Sequence, residues 1–295
     1  MDNYAIFTDS SSNITPDLAH ASDIGVIPLT CVTKETVMPC YDDTAAFDGH
    51  SFYDALRKTG PIKTSMINIS QFRQAFEPII KVGQDILYVA MSSGISGTCA
   101  AAKEAAAELM KEYPGRVIRV VDTLAASFGE GIFALKASVM RRARVNLDAA
   151  VKWTEENKRR MCQFFTVDDL MFLHKGGRIS NLTARIGSLA NIKPLLMGDS
   201  EGKIVGCGKV IGRKKSLQAL ADLYDRHAAA DDGEIVAIAH GDCEEDADYL
   251  AALLKKKRGV KDMLIRCYEP GTGAHVGPGA VALFFFSPTP CKYPR

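Results

Sequence analysis

The stretch DILYVAMSSGISGT, Asp85–Thr98, runs directly into the alanine-rich segment Cys99–Tyr113, and this junction decides the fold. Ile86–Ala90 is apolar and bounded by polar residues, the pattern of a short buried strand. Cys99–Tyr113 has high helix propensity and stops at Pro114-Gly115. Between them lie Ser92, Ser93, Ser96 and Thr98 with Gly94 and Gly97. A strand–turn–helix of this kind aims hydroxyls and the free N–H groups of a helix start at one point, which suits a carboxylate or phosphate. Ser96 or Thr98 acting only as a helix cap is the second reading, and the local sequence leaves both open.

Working outward, the first half repeats the unit. Tyr4–Phe7 and Val26–Val32 are predicted strands, with a helix opening at Thr15-Pro16 between them. Helices are expected over Ser51–Lys58 and Ser70–Val82, then the strand Val117–Val121 and a long helix over Ala126–Arg144. Alternating strands and helices predict a mostly parallel sheet covered on both faces. Ligands of such sheets bind at the carboxyl ends of the strands, where Thr8–Asn13, Ser92–Thr98 and Asp122–Ser127 fall.

The second half differs. A helix Leu147–Arg159 leads to the strand Cys162–Val167, then a short helix stopped by Gly176-Gly177. Asp199-Ser200-Glu201-Gly202 is a hairpin turn between two extended runs within Leu195–Val210. A helix Lys214–Ala228, a strand Ile235–His240 and a helix Glu244–Arg258 follow. The last two strands, Met263–Tyr268 and Ala280–Phe286, flank a glycine-rich loop, PGTGAHVGPG. The reading is α/β with two domains, 1–158 and 159–295, the second built on a mixed or antiparallel sheet.

Composition narrows the function. The 295 residues carry 36 Lys+Arg against 35 Asp+Glu, which leaves no field to attract nucleic acid or acidic lipid. No segment approaches the roughly 20 apolar residues of a membrane span, and the start lacks a signal peptide's basic and apolar regions. Eight cysteines are scattered without a CxxC pair. They are expected to be reduced and mostly buried, and the protein cytoplasmic.

Few residues carry obvious chemistry. The six histidines show no metal-ligand spacing. His20 and His227 fit solvated helix faces, and His240 fits a structural role. His275, within the glycine-rich loop Gly271–Gly279, is a site candidate. No phosphate-binding GxxxxGK[ST] loop and no GxSxG nucleophile elbow exist. Gly212–Ser216 is expected to be a solvated basic turn. Lys63-Thr64-Ser65 reads as an exposed linker or part of a site. Arg178, after a double-glycine helix stop, could present its planar fork to a carboxylate.

Taken in order, Thr8-Asp9-Ser10-Ser11, Lys63-Thr64-Ser65, Ser92–Thr98, Val121-Asp122-Thr123, Lys175–Ser180, Asn191–Pro194 and His275–Gly279 resemble the DegV family of bacterial proteins, including its fatty-acid-binding members. The resemblance spans the chain up to about Phe286. It implies a two-domain DegV-like α/β fold with a long-chain fatty acid such as palmitate between the domains, and a carrier in lipid transport or fatty acid metabolism rather than an enzyme. By this resemblance Thr64 and Ser96 hold the carboxylate, with Ser65, Gly97, Arg178 and His275 around the head group. It implies no cofactor and no metal. Some members present the acid to a separate ATP-dependent fatty acid kinase. Nucleic acid and stable membrane insertion are not expected.

The energetics agree with that role. About 14 buried methylenes at roughly 0.8 kcal/mol each give on the order of 11 kcal/mol before entropic losses, so the tail dominates affinity and the head group fixes orientation. Three departures from the family pattern stand out: Val276 for threonine, Ile211 for arginine, and Met66-Ile67-Asn68 for Gln-Pro-Ser. The competing reading is an acyl hydrolase or transferase with Ser96 as nucleophile and His275 as base.

Overall fold

The computed structural model describes residues 4–33, 36–179, 191–228, 235–257, 260 and 263–291. Ser180, the last residue of one of the motifs, lies outside them. In chain order the described elements are β1 (Tyr4–Asp9), α1 (Pro16–Ser22), β2 (Ile24–Ile27), β3 (Thr30–Val32), β4 (Val37–Pro39), α2 (Gly49–Thr59), β5 (Lys63–Ser65), α3 (Ile69–Lys81), β6 (Asp85–Ala90), α4 (Thr98–Glu112), β7 (Ile118–Asp122), α5 (Phe128–Arg142) and α6 (Leu147–Asn157). They continue with β8 (Met161–Thr166), α7 (Met171–Lys175), β9 (Ile192–Gly198), β10 (Ile204–Ile211), α8 (Arg213–His227), β11 (Val236–His240), α9 (Glu244–Leu254), β12 (Met263–Cys267), α10 (Pro270–Val276) and β13 (Val281–Phe286).

The first sheet has the order β2-β1-β6-β7 and is parallel throughout. Its strands are apolar on both faces, as a covered parallel sheet requires. In β6, Ile86, Tyr88 and Ala90 pack with Phe72 of α3 and Ala102 of α4, while Leu87 and Val89 point to the opposite core with α5. The two-residue period of the strand sorts its side chains between the two helix layers. The second sheet, β10-β9-β8-β13-β11-β12, is mixed, its one parallel pair being β11–β12. One face carries α8 and α9 through Leu217, Leu220 and Leu250; Phe165, Ala239 and Phe284 on the other face join the core of α5.

α5 therefore lies between the two sheets, which explains why its first half, Phe128–Leu135, is buried at every position. Ten of its fifteen residues are buried, Glu130 among them. No described helix is long and apolar enough to cross a membrane.

Four expectations need correction. The run Val26–Val32 is two strands, not one: Pro28 has no N–H to continue the ladder, so β2 ends and β3 joins a separate antiparallel sheet, β4-β3-β5. Lys63-Thr64-Ser65 is not a linker but β5, paired with β3. The glycine-rich segment around His275 is a helix, α10, started by Pro270 and capped by the Glu269 carboxylate, which accepts the N–H groups of Gly271 and Thr272. The cysteines are not all reduced: Cys162 and Cys291 form a disulfide, with Cα atoms 5.8 Å apart. Beyond β13 the chain turns back, Ser287 and Cys291 donating to the carbonyls of Arg160 and Arg159, and this sets Cys291 beside the start of β8.

Candidate functional site

A cavity of about 280 Å³ opens at the carboxyl edge of the parallel sheet, among β5, the loops after β6 and β7, the face of β8, and α10. Its wall is mainly apolar, with Leu29, Met91, Ile95, Phe165, Leu173, Ile204 and Phe284 contributing. Polar side chains enter at a few points: Thr64, Ser96, Ser127, Gln163, Arg178, Thr272 and His275. Apolar walls with a few placed polar groups describe a site for a small molecule with one polar end.

The junction that decided the fold forms one wall. β6 ends at Ala90, the turn carries Ser96, and α4 begins at Thr98. The Ser96 hydroxyl accepts the Thr98 N–H at 3.2 Å and lies 2.9 Å from the Thr98 hydroxyl. Ser96 thus serves the helix start and faces the cavity at once. Gly97 also lines the cavity, with the Met66 sulfur seated where a side chain on Gly97 would stand.

β5 forms a second wall. Strand alternation turns Thr64 inward and leaves Lys63 and Ser65 exposed, so Ser65 does not line the cavity. The Thr64 Oγ1 lies 2.8 Å from Nε2 of His275 in the last turn of α10. The Nδ1 of His275 is buried without a hydrogen-bond partner among the described residues. Burial first, then the Arg178 charge, pushes His275 down to about 4, so its ring is neutral near pH 7. Arg178 lines the same cavity, donates to the carbonyl of Gly176, and is itself lowered by burial. Thr64, Ser96, Gly97, Arg178 and His275, from four separate segments, thus line one cavity.

Beneath the cavity floor runs a polar network that supports its walls. The Asp9 carboxylate accepts the Tyr88 hydroxyl at 2.7 Å and the Ser11 N–H at 2.9 Å. Glu130 accepts the hydroxyls of Thr8 and Ser11, each at 2.6 Å. Burial raises both acids, Glu130 well above the usual carboxylate range. The Ser10 hydroxyl accepts the N–H of Leu29, which lines the cavity. The Thr8–Ser11 motif therefore acts behind the wall, not in the pocket. α10 is tied to the first half of the chain through the Asn13 side chain, which accepts the Glu269 N–H at 2.8 Å, and through the Tyr53 hydroxyl, which donates to the Tyr268 carbonyl.

Some cavity residues escaped sequence reading. Ser127, Gln163 and Thr272 carry no motif, although Ser127 closes a segment placed at the carboxyl ends of the strands. An acid inside the apolar run of α5 was the one signal for Glu130. Arg213 is not solvated: it pairs with Asp246 at 2.8 Å and donates to the Gly279 carbonyl at 2.7 Å. His240 is structural, its Nδ1 accepting the Cys243 N–H. His227 stacks on Phe164 instead of standing free in solvent. One trio, His50, Asp54 and Asp242, groups metal-type donors among the described residues, but Arg57 already bridges both carboxylates.

The family model described as "Uncharacterised protein, DegV family" matches residues 3–288. The chain belongs to the DegV family. A DegV domain-containing protein of Clostridium perfringens is 38% identical over 291 residues, covering 98% of this chain and 99% of the relative. A DegV-family protein of Thermus thermophilus of solved structure, described by its fatty acid binding, is 26% identical with a TM-score of 0.86, covering 97% of this chain and 99% of its own. DegV of Bacillus subtilis, described as a fatty acid binding protein, is 28% identical with a TM-score of 0.83, covering 97% of this chain and all (100%) of its own.

Within the DegV family, the three departures now have places. Asn68 caps α3 and, with Gln71, forms a reciprocal capping box, while Ile67 is buried and Met66 faces the cavity. Val276 adds to the apolar wall. Ile211 is 65% exposed and away from the cavity wall.

Proposed function

We propose that this chain binds a long-chain fatty acid, the tail in the apolar cavity and the carboxylate at the end formed by Thr64, Ser96, Arg178 and His275. The observation that carries the reading is a mainly apolar cavity whose lining includes the Thr64–His275 pair, the Ser96 hydroxyl and the Arg178 guanidinium. A carboxylate there gains hydrogen bonds from Thr64 and Ser96 and charge compensation from Arg178, which offsets the cost of its desolvation. The fatty-acid-binding descriptions of the Thermus and Bacillus relatives support the same ligand.

The role proposed is carrier, not catalyst. A hydrolase built on Ser96 and His275 needs those two in contact and a third group orienting the ring. Here Nε2 of His275 faces Thr64, Ser96 pairs with Thr98, and Nδ1 has no partner among the described residues. Delivery to a separate ATP-dependent acyl kinase, in the cytoplasm, completes the proposal. So does a division of the chain near residue 158, which agrees with the strand sets of the two larger sheets.

The test is a titration of delipidated protein with palmitate and with hexadecanol. Tight one-to-one binding of the acid, with the alcohol at least tenfold weaker, is the expected result. Equal affinity for the two would remove the carboxylate site from the proposal.

A further inference from the structure

Cys31 and Cys40 form a second chemical pair, separate from the acyl site. Their sulfurs are 3.2 Å apart, with the side chains 0% and 4% exposed. The β3–β4 hairpin holds them there, pairing Cys31 with Met38, while the Cys40 N–H donates to the Leu29 carbonyl at 2.8 Å.

We propose that Cys31 and Cys40 are a dithiol–disulfide site for low-molecular-weight disulfides, and that its oxidation weakens ligand binding; this last part rests on the fatty-acid reading. Bonded sulfurs stand about 2.0 Å apart, so roughly an ångström of closure makes the bond. Cys40 directly follows an edge strand of three residues whose Val37 and Met38 are 71% and 43% exposed, and such an edge opens at low cost. In the closed state Cys31 and burial hold the Cys40 thiol protonated, so exchange proceeds through the opened edge.

The step balances. The Cys40 thiolate attacks one sulfur of the small disulfide, forming a mixed disulfide and releasing one thiolate. Cys31, as thiolate, attacks the Cys40 sulfur, forms the Cys31–Cys40 bond and releases the second thiolate. The two protons lost by the cysteines go to the two leaving thiolates, and the protein is oxidised by two electrons as the small disulfide is reduced.

The coupling to the acyl site is short. Cys31 lies directly opposite Thr64 in the β3–β5 pair. The Cys40 sulfur packs on Gly271 of α10, where an added methyl would stand 3.5 Å from it. Leu29, joined to the Cys40 N–H, lines the cavity. Closing the sulfurs therefore shifts the strand of Thr64 against the helix of His275. Misaligning one hydrogen bond to a charged group weakens binding roughly tenfold.

The experiment exposes reduced protein to oxidised glutathione, blocks free thiols, and maps the digest by mass spectrometry. Palmitate affinity is measured before oxidation, after it, and after dithiothreitol. The expected results are a peptide pair linked through Cys31 and Cys40, absent in Cys40→Ser and in Cys31→Ala, with affinity about tenfold weaker and restored by reduction. Glutathione on the exposed Cys207 confirms that the oxidant acted. Modified Cys207 without the Cys31–Cys40 link overturns the site. The link with unchanged palmitate affinity overturns the coupling. Failure of the reduced protein to bind palmitate overturns the acyl reading, and the linked peptide still decides the dithiol site.

Discussion

The Nε2 of His275 and the Oγ1 of Thr64 lie 2.8 Å apart, although 211 residues separate them in the chain. The contact exists because β5 joins the small sheet of the first half and α10 returns to pack on it, held by Asn13 and Tyr53. It places a hydroxyl, an uncharged ring and the nearby Arg178 guanidinium on one side of an apolar cavity. An anion arriving there meets donors already oriented and spends little on ordering them.

Thr64→Val keeps the shape of the β5 side chain and removes its hydroxyl. A hydrogen bond to a charged group contributes about 1.5–3 kcal/mol, so palmitate affinity is expected to fall at least tenfold with little change in melting temperature. Ser96→Ala should weaken binding less, since the N–H groups of the α4 start remain. Titration calorimetry on both variants checks the order.

His275 has a folded value of about 4 against 6.5 when free, so the unfolded chain binds more protons in between. Its contribution to stability is present above pH 6.5 and is lost as pH falls through about 4. A bound carboxylate offsets the Arg178 charge, one of the two causes of the shift, and its own negative charge raises the ring's affinity for a proton. Palmitate binding near pH 5.5 should therefore take up protons, a signal that His275→Gln abolishes. Calorimetry in buffers of different ionisation enthalpy reads this directly.

Glu269 shifts the other way, burial raising it to about 7 from 4.5. The folded chain holds its proton longer, so this contribution is full below pH 4.5 and is lost as pH rises through about 7. Glu269→Gln is expected to flatten the loss of stability over that window while keeping a carbonyl oxygen to cap α10. Denaturant unfolding at pH 5 and pH 8 tests it.

Gly202 occupies the β9–β10 turn with φ of +72°, and its carbonyl accepts the Ser92 hydroxyl at 2.9 Å. An added methyl would lie 2.0 Å from that hydroxyl oxygen and 3.0 Å from the Leu124 Cα. Gly202→Ala should cost about 2 kcal/mol or more through strain and displacement, and should weaken acyl binding because Gly202 lines the cavity. Thermal unfolding and palmitate titration together measure both effects.

The strand–turn–helix at Asp85–Glu112 was legible because strand and helix periods change abruptly across a serine-glycine turn. The long elements were legible for the same reason. Pro28 was the visible sign that Val26–Val32 is broken, yet the sheet that β3 joins depends on pairing with β5, which no local pattern records. α10 was hidden because glycines lower helix propensity, and its helix rests on the Glu269 cap and on packing against the first half. Cys162 and Cys291, 129 residues apart, meet through a returning tail that spacing cannot disclose. Among the expected head-group residues, Ser65 was misplaced by strand alternation, whereas Thr64, Ser96, Gly97, Arg178 and His275 share one cavity.

Native mass spectrometry of the purified full chain tests the central claim most directly. The account predicts one fatty acid per chain, identified after organic extraction, and a weaker hold on it in the Thr64→Val, Ser96→Ala double variant. A chain that carries no fatty acid and takes up none when palmitate is supplied would contradict it.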